Sequence, residues 1–305
     1  MSYKKARRKK RLQKIFIFIL AVLGLLKLLF ENEIYTFAHD DIKFLGQFSI
    51  NVYGQYYWFF KSAVFILYIV NALLLTFILR KHKLIELHRY FPSIFYLLLF
   101  LFFLKTSFFI PLCINSLIIL FLLSPFLKIS EKDYKEKNGI VFGIFCGIIM
   151  LIYAPFIFYF LLIFLIFILN NFYNWRSYVL PLLGLIITYI YFFSILYLID
   201  FNYFNILWES YIFQFRLTTS FSYASYQIIL YSILFVLYLF FSYSIFSRSA
   251  NMNIFIRKKY YFFLLSSLFA LFFCFLFREV QSIGFILFLT LLSSMGGILF
   301  SGTKK

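Results

Sequence analysis

Apolar runs close to twenty residues long follow one another through almost the whole of this 305-residue chain, with only short polar connections between them. A helix of that length crosses a hydrocarbon core of roughly 30 Å at about 1.5 Å per residue. The chain is 64% hydrophobic, 13% of its residues are charged, and it contains 49 Phe. Soluble domains are roughly half apolar and a quarter charged, so no soluble fold could cover this much apolar surface. The expected fold class is all-α: a polytopic transmembrane helical bundle.

Ten apolar segments can be drawn, near 12–30, 59–79, 91–104, 107–127, 139–153, 155–170, 178–199, 227–246, 260–277 and 282–300. Three of them (91–104, 139–153 and 155–170) are short for a bilayer. They pair into hairpins turning at Lys105 and around "YAPF", or merge into longer tilted helices that lower the count to eight. Residues 1–11 form a basic cytoplasmic tail, and 12–303 form one transmembrane domain with outer loops 31–58 and 200–226. The run "IFIFILAVLGLLKLLF" is long and lacks a small-residue cleavage site, so it reads as a retained first span.

Charge orients the drawing. With both termini in the cytoplasm, the inner side carries 23 of the 29 cations, opposed by Glu86, Glu131, Asp133 and Glu136. The outer side holds the other seven acids and six cations, which satisfies the positive-inside rule at every loop. The formal charge of +18 therefore reflects headgroups and membrane potential and gives no reason to expect a nucleic-acid partner. The expected location is a bacterial inner (cytoplasmic) membrane. Cys113, Cys146 and Cys274 lie inside apolar runs as small hydrophobes, and His39, His82 and His88 show no ligand spacing.

Two polar features stand out. "GIVFGIFCG" places Gly139, Gly143 and Gly147 four apart on one helix face, which permits close helix packing. The first outer loop sets Asp40 beside Asp41 in a chain with only eleven acidic residues. After them Ile42, Leu45, Phe48 and Val52 share one helical face, and Lys43, Gln47 and Asn51 the other. This pattern predicts a short interfacial helix. An Asp ahead of a helix caps its free N–H groups, which on spacing alone outweighs catalysis. In the second outer loop, "NILWESYIFQF" reads as a helix lying on the membrane.

"DDIKFLGQFSIN" resembles the first outer loop of GT-C glycosyltransferases, multi-span enzymes that use polyprenyl-phosphate-linked sugars. The matching positions are Asp40, Asp41, Phe48, Ser49 and Asn51, with Gln47 where such families often carry Arg. More broadly, the stretch from "RYFPSIFYLLLF" to "WRSYVLPLLG" looks like an uncharacterised family of multi-span membrane proteins from Bacteroidota, a likeness that implies no activity. The GT-C resemblance implies that Asp40 or Asp41 deprotonates an acceptor hydroxyl at the outer face. A phosphate leaving group then needs a cation, and Arg216, Arg278 and Lys105 all fall on that side. Arg is favoured for its planar fork, and Arg216 for its longer, aromatic loop.

The bland reading of each cation stands beside this. Lys27 and Lys105 can snorkel to the interface, and Arg278 can pair with its neighbour Glu279. The expected partners are membrane lipids, a polyprenyl-phosphate-sugar donor and an envelope protein. No ligand set defines a cofactor or a divalent metal. Two other functions remain open: a lipid or glycan transporter, and a non-catalytic scaffold of the cell envelope. A coupled transporter would want ionisable groups near the midplane, where this chain offers only Asn71, Asn115, Pro111, Pro155 and Pro181.

Overall fold

The computed structural model describes residues 3–30, 57–86, 89–103, 109–123, 127, 137–152, 156–157, 160, 175–199, 225–249, 252–276 and 281–301. Its elements are helices, with no strand among the described residues. In chain order they are α1 (Tyr3–Phe30), α2 (Tyr57–Lys81), α3 (Phe91–Phe103) and α4 (Phe109–Leu117), which runs on as a π-helical turn over Ile118–Leu123. Then follow α5 (Lys137–Ile152), α6 (Arg176–Ile199), α7 (Ser225–Ser249), α8 (Ile254–Leu276) and α9 (Gln281–Ser301). Among the described residues, Lys61–Lys81, Tyr178–Ile195, Tyr231–Ser249 and Gly284–Ser301 are long and apolar enough to cross a membrane. This is a helical membrane protein. Helix α1 begins at Tyr3, so the basic residues 4–11 are helical.

The last helix is the axis of the bundle. Every residue of α9 from Gly284 to Leu299 is buried, as expected for a helix that is apolar all round. It packs against α8 and α3, and less extensively against α7 and α4. A Cβ on Gly297 would lie 2.4 Å from Pro92 Cγ, so the absent side chain lets α9 touch the start of α3. By contrast, α6 turns most of its surface outward, with Ile190, Tyr191, Tyr197 and Leu198 all well exposed.

Helix α6 is held through the glycine face of α5. A Cβ built on Gly143 would sit 2.0 Å from the Pro181 carbonyl oxygen, and one on Gly147 would sit 2.8 Å from Thr188 Cβ. The reciprocal contact is as tight, with Gly184 against the Ile140 carbonyl. From Gly143–Pro181 to Gly147–Thr188 both helices advance together, so α5 and α6 run parallel. Parallel neighbours require the chain between them to return. The apolar run 155–170 was expected to do so, but apart from Phe156, Ile157 and Phe160 it lies outside the described residues, as does the "YAPF" turn.

Helices α3 and α4 both pack on α2 and α9, and a side-chain bond between them excludes one long helix over 91–127. Asn115 Nδ2 donates to Tyr96 Oη at 3.3 Å. On a continuous helix those residues would be about 28 Å apart along the axis. The chain leaves α2 through a Schellman turn: Leu84 N–H donates to Leu79 O, Lys83 N–H donates to Arg80 O, and Lys83 adopts φ 59°. Leu79 and Leu84 are both buried beneath this turn, which sets the entry into α3.

Side-chain bonds gather six helix segments at one end. Tyr90 N–H donates to Gln13 Oε1, Arg89 donates to Phe300 O, Arg248 to Leu299 O, and Lys259 to His82 O. The early part of α1, the C-termini of α2, α7 and α9, and the N-termini of α3 and α8 therefore meet there. Arg80 adds a bond to Arg89 O and stacks 4.0 Å from the Tyr90 ring centroid. Arg guanidinium groups placed on the last carbonyls of α9 satisfy orphan acceptors and suit the helix dipole.

The α5–α6 contact makes a direct test. Gly143→Leu should drive α6 off α5 and lower stability in detergent by about 1–3 kcal/mol, read from thermal or denaturant unfolding. Gly24→Ala, whose Cβ would meet only the Tyr68 ring edge at 2.8 Å, should cost clearly less because that ring can shift.

Candidate functional site

Asp40, Asp41, Lys105, Arg216 and Arg278 all lie outside the described residues, as do both predicted interfacial helices. The helix ends that flank these candidates are described, and they share one location. The Asp pair falls between Phe30 of α1 and Tyr57 of α2. Lys105 follows Phe103 of α3, Arg216 precedes Ser225 of α7, and Arg278 falls between Leu276 of α8 and Gln281 of α9. Each of those helices has its other end among the basic contacts above. The flanking ends therefore all emerge at the opposite end of the bundle.

Two described cations occupy that opposite end. Lys27 Nζ donates to Leu101 O at 2.8 Å and to Phe102 O at 2.9 Å, capping the C-terminus of α3. Lys27 had a bland expectation as a snorkelling residue; instead its ammonium is spent on the carbonyls of a short helix. Lys61, at the start of α2, is 5% exposed, and its Nζ stands 5.5 Å from the Trp58 ring centroid. Gly24 of α1 faces Tyr68 of α2. Lys27 lies one turn beyond Gly24 and Lys61 two turns before Tyr68, so the two cations approach the same end on facing helices. Sequence reading placed both outside but assigned neither to a site; the heptad from Lys61 to Tyr68 was the available signal.

A second polar group sits halfway along the bundle. Thr290 Oγ1 of α9 donates to Asn115 Oδ1 of α4 at 3.0 Å, and Asn115 Nδ2 donates to Tyr96 Oη of α3. Asn71 Nδ2 of α2 donates to Leu112 O at 3.1 Å, a carbonyl that also accepts from Ser116 Oγ. Tyr68 Oη donates to Leu97 O, and Thr76 and Ser93 hydroxyls bond to each other. These side chains, fully or almost fully buried, join α2, α3, α4 and α9. The π-helical turn at Ile118 begins just after this doubly used Leu112 carbonyl and Asn115.

This layer also gauges depth. From Asn71, α2 continues about 21 Å to Tyr57, whereas α3 continues only about 10 Å from Tyr96 to Phe103. Helix α3 thus ends about 10 Å short of the start of α2. Lys27 supplies donors to carbonyls at this end of α3, which would be costly to leave without partners in an apolar layer.

No family model, curated protein or solved structure matches the chain. Among the described residues no group of His, Cys, Asp or Glu could hold a metal ion. The buried layer is neutral and bonded within itself; of its polar atoms, Asn71 Oδ1 lacks a hydrogen bond. Its chemistry is that of a pin between helices.

Two substitutions distinguish the members of this pin. Asn115→Leu strips partners from both Thr290 and Tyr96 and should cost about 1–2 kcal/mol of unfolding free energy. Asn71→Leu removes one donor together with an orphan acceptor and should cost less than about 0.6 kcal/mol. Reversible unfolding in mixed micelles reads both.

Proposed function

We propose that this chain is a ten-span inner-membrane protein with both termini in the cytoplasm. Its outer face would carry out a GT-C-like glycosyl transfer from a polyprenyl-phosphate-linked sugar. The supporting observation is the convergence just described: the helix ends flanking Asp40, Asp41, Lys105, Arg216 and Arg278 share the end opposite the basic one. The orientation follows from charge, since the end that gathers Arg80, Arg89, Arg248 and Lys259 is the one the positive-inside rule would keep in the cytoplasm.

In this reading the lipid-linked headgroup binds at the outer face. Asp40 or Asp41 takes the proton of the acceptor hydroxyl as its oxygen attacks the anomeric carbon. The sugar–phosphate C–O bond breaks, and the departing phosphate keeps the electron pair, its charge met by Arg216, Arg278 or Lys105. The other aspartate caps the helix that follows. A coupled transporter is less well supported, because the described midplane layer holds amide and hydroxyl groups and no carboxylate.

The test is a pair of variants, Asp40→Asn and Asp41→Asn, expressed at normal levels in cells lacking the native gene. One of them should reduce an envelope glycan by about 10²-fold or more, the scale of a lost general base. Unchanged glycans in both variants would remove the enzyme and leave the scaffold.

A further inference from the structure

The basic run at the start of α1 is helical although its own electrostatics oppose a helix there. Residues 4–11 hold seven cations, interrupted only by Ala6, and no acidic residue precedes Glu31. Residues three or four apart are neighbours on a helix, and like charges at those spacings repel. Seven such pairs fall within 4–11, Lys5 with Lys9 and Arg7 with Arg11 among them. The helix dipole adds to the cost, because it disfavours cations at an N-terminus and the first turn of α1 has no acid. Yet α1 runs unbroken from Tyr3 to Phe30.

Two contacts fix where this run lies. Gln13 Oε1 accepts from the Tyr90 N–H at the start of α3, and Lys27 Nζ donates to the Leu101 and Phe102 carbonyls at its end. Helices α1 and α3 are therefore parallel, and α1 reaches back about 15 Å beyond the first turn of α3, from Gln13 to Tyr3. The apolar surface of α1 begins next to the basic run, with Leu12, Ile15, Phe16 and Ile19 each at least 45% exposed. Along the axis, positions 11 to 4 lie about 2–12 Å beyond Leu12. A headgroup layer is about 5–8 Å thick, and the field of a charged surface reaches about 8 Å further. All seven positions fall within that range.

We propose that this segment is a docking surface for anionic lipid headgroups of the leaflet at the basic end. Their phosphates hold residues 3–11 in the helical state by neutralising the repulsion along the run. The anions must come from outside the chain in any case: if all eleven acids were paired, 18 cations would remain. A zwitterionic headgroup brings its own cation, so the anionic class is selected. A soluble polyanion also offers phosphates, but lipid phosphates already lie beside Leu12, where the lipid-suited face of the helix begins.

The experiment is solid-state NMR of the full-length protein in nanodiscs. Ala6 is the only alanine followed by arginine, so carbonyl-labelled alanine with nitrogen-labelled arginine isolates its carbonyl, whose shift reads helix against coil. In phosphatidylglycerol the peak should stand at the helical position; in phosphatidylcholine of matched chains it should move to the coil position. The variant Lys4→Gln/Lys5→Gln/Arg8→Gln/Lys9→Gln relieves most of the repulsion with a good helix former, so its peak should stay helical in both lipids. Arg7, Lys10 and Arg11 remain to hold its orientation, and an unchanged thermal midpoint would confirm its fold. A wild-type peak at one position in both lipids, or a variant that keeps the wild-type difference, would overturn the proposal. A helical peak produced by single-stranded RNA or millimolar inorganic phosphate, but not by phosphatidylglycerol, would replace the lipid with a soluble anion.

Discussion

Lipid is as apolar as the side chains of this protein, so helices inside the bilayer gain little by hiding from it. What remains to hold the bundle is close fit and hydrogen bonding where polar groups cannot reach water. Both are found on α9. Its residues from Gly284 to Leu299 are buried, Gly297 admits Pro92 of α3, and Thr290 fastens it to Asn115. Arg89 and Arg248 close its final carbonyls.

The short hairpin depends on the same economy. A helix that stops inside the apolar layer leaves carbonyls with no water to accept from. Helix α1 solves this for α3 at both ends: Gln13 takes the Tyr90 N–H, and Lys27 supplies two carbonyls at the far end. With both ends served, α3 can stop about 10 Å short of the start of α2.

Much of this was legible in the sequence. Apolar run length identified a helical membrane protein, and the spacing of Gly139, Gly143 and Gly147 identified a packing face, which α6 occupies. Charge asymmetry divided the helix ends into two groups, because cations are costly in lipid and accumulate where headgroups can meet them. The ends joined through Arg89, Arg248 and Lys259 all fall in the basic group. The polar pin was harder to see. Asn71 and Asn115 looked only mildly polar because they are distant in sequence, and periodicity on one helix says nothing about which neighbour supplies the partner. Lys27 looked like a snorkelling residue because the carbonyls it caps belong to a helix some seventy residues later. The candidate aspartates were found by their loop's composition and resemblance, and lie outside the described residues.

The central claim is that the basic end and the Asp40–Asp41 loop face opposite sides of the membrane. In a background lacking Cys113, Cys146 and Cys274, single cysteines at Lys83 and at Lys43 can be probed with a membrane-impermeant maleimide in sealed, right-side-out vesicles. Lys43→Cys should be labelled before the vesicles are opened and Lys83→Cys only afterwards. Labelling of Lys83→Cys in sealed vesicles, or of both positions together, would contradict the account.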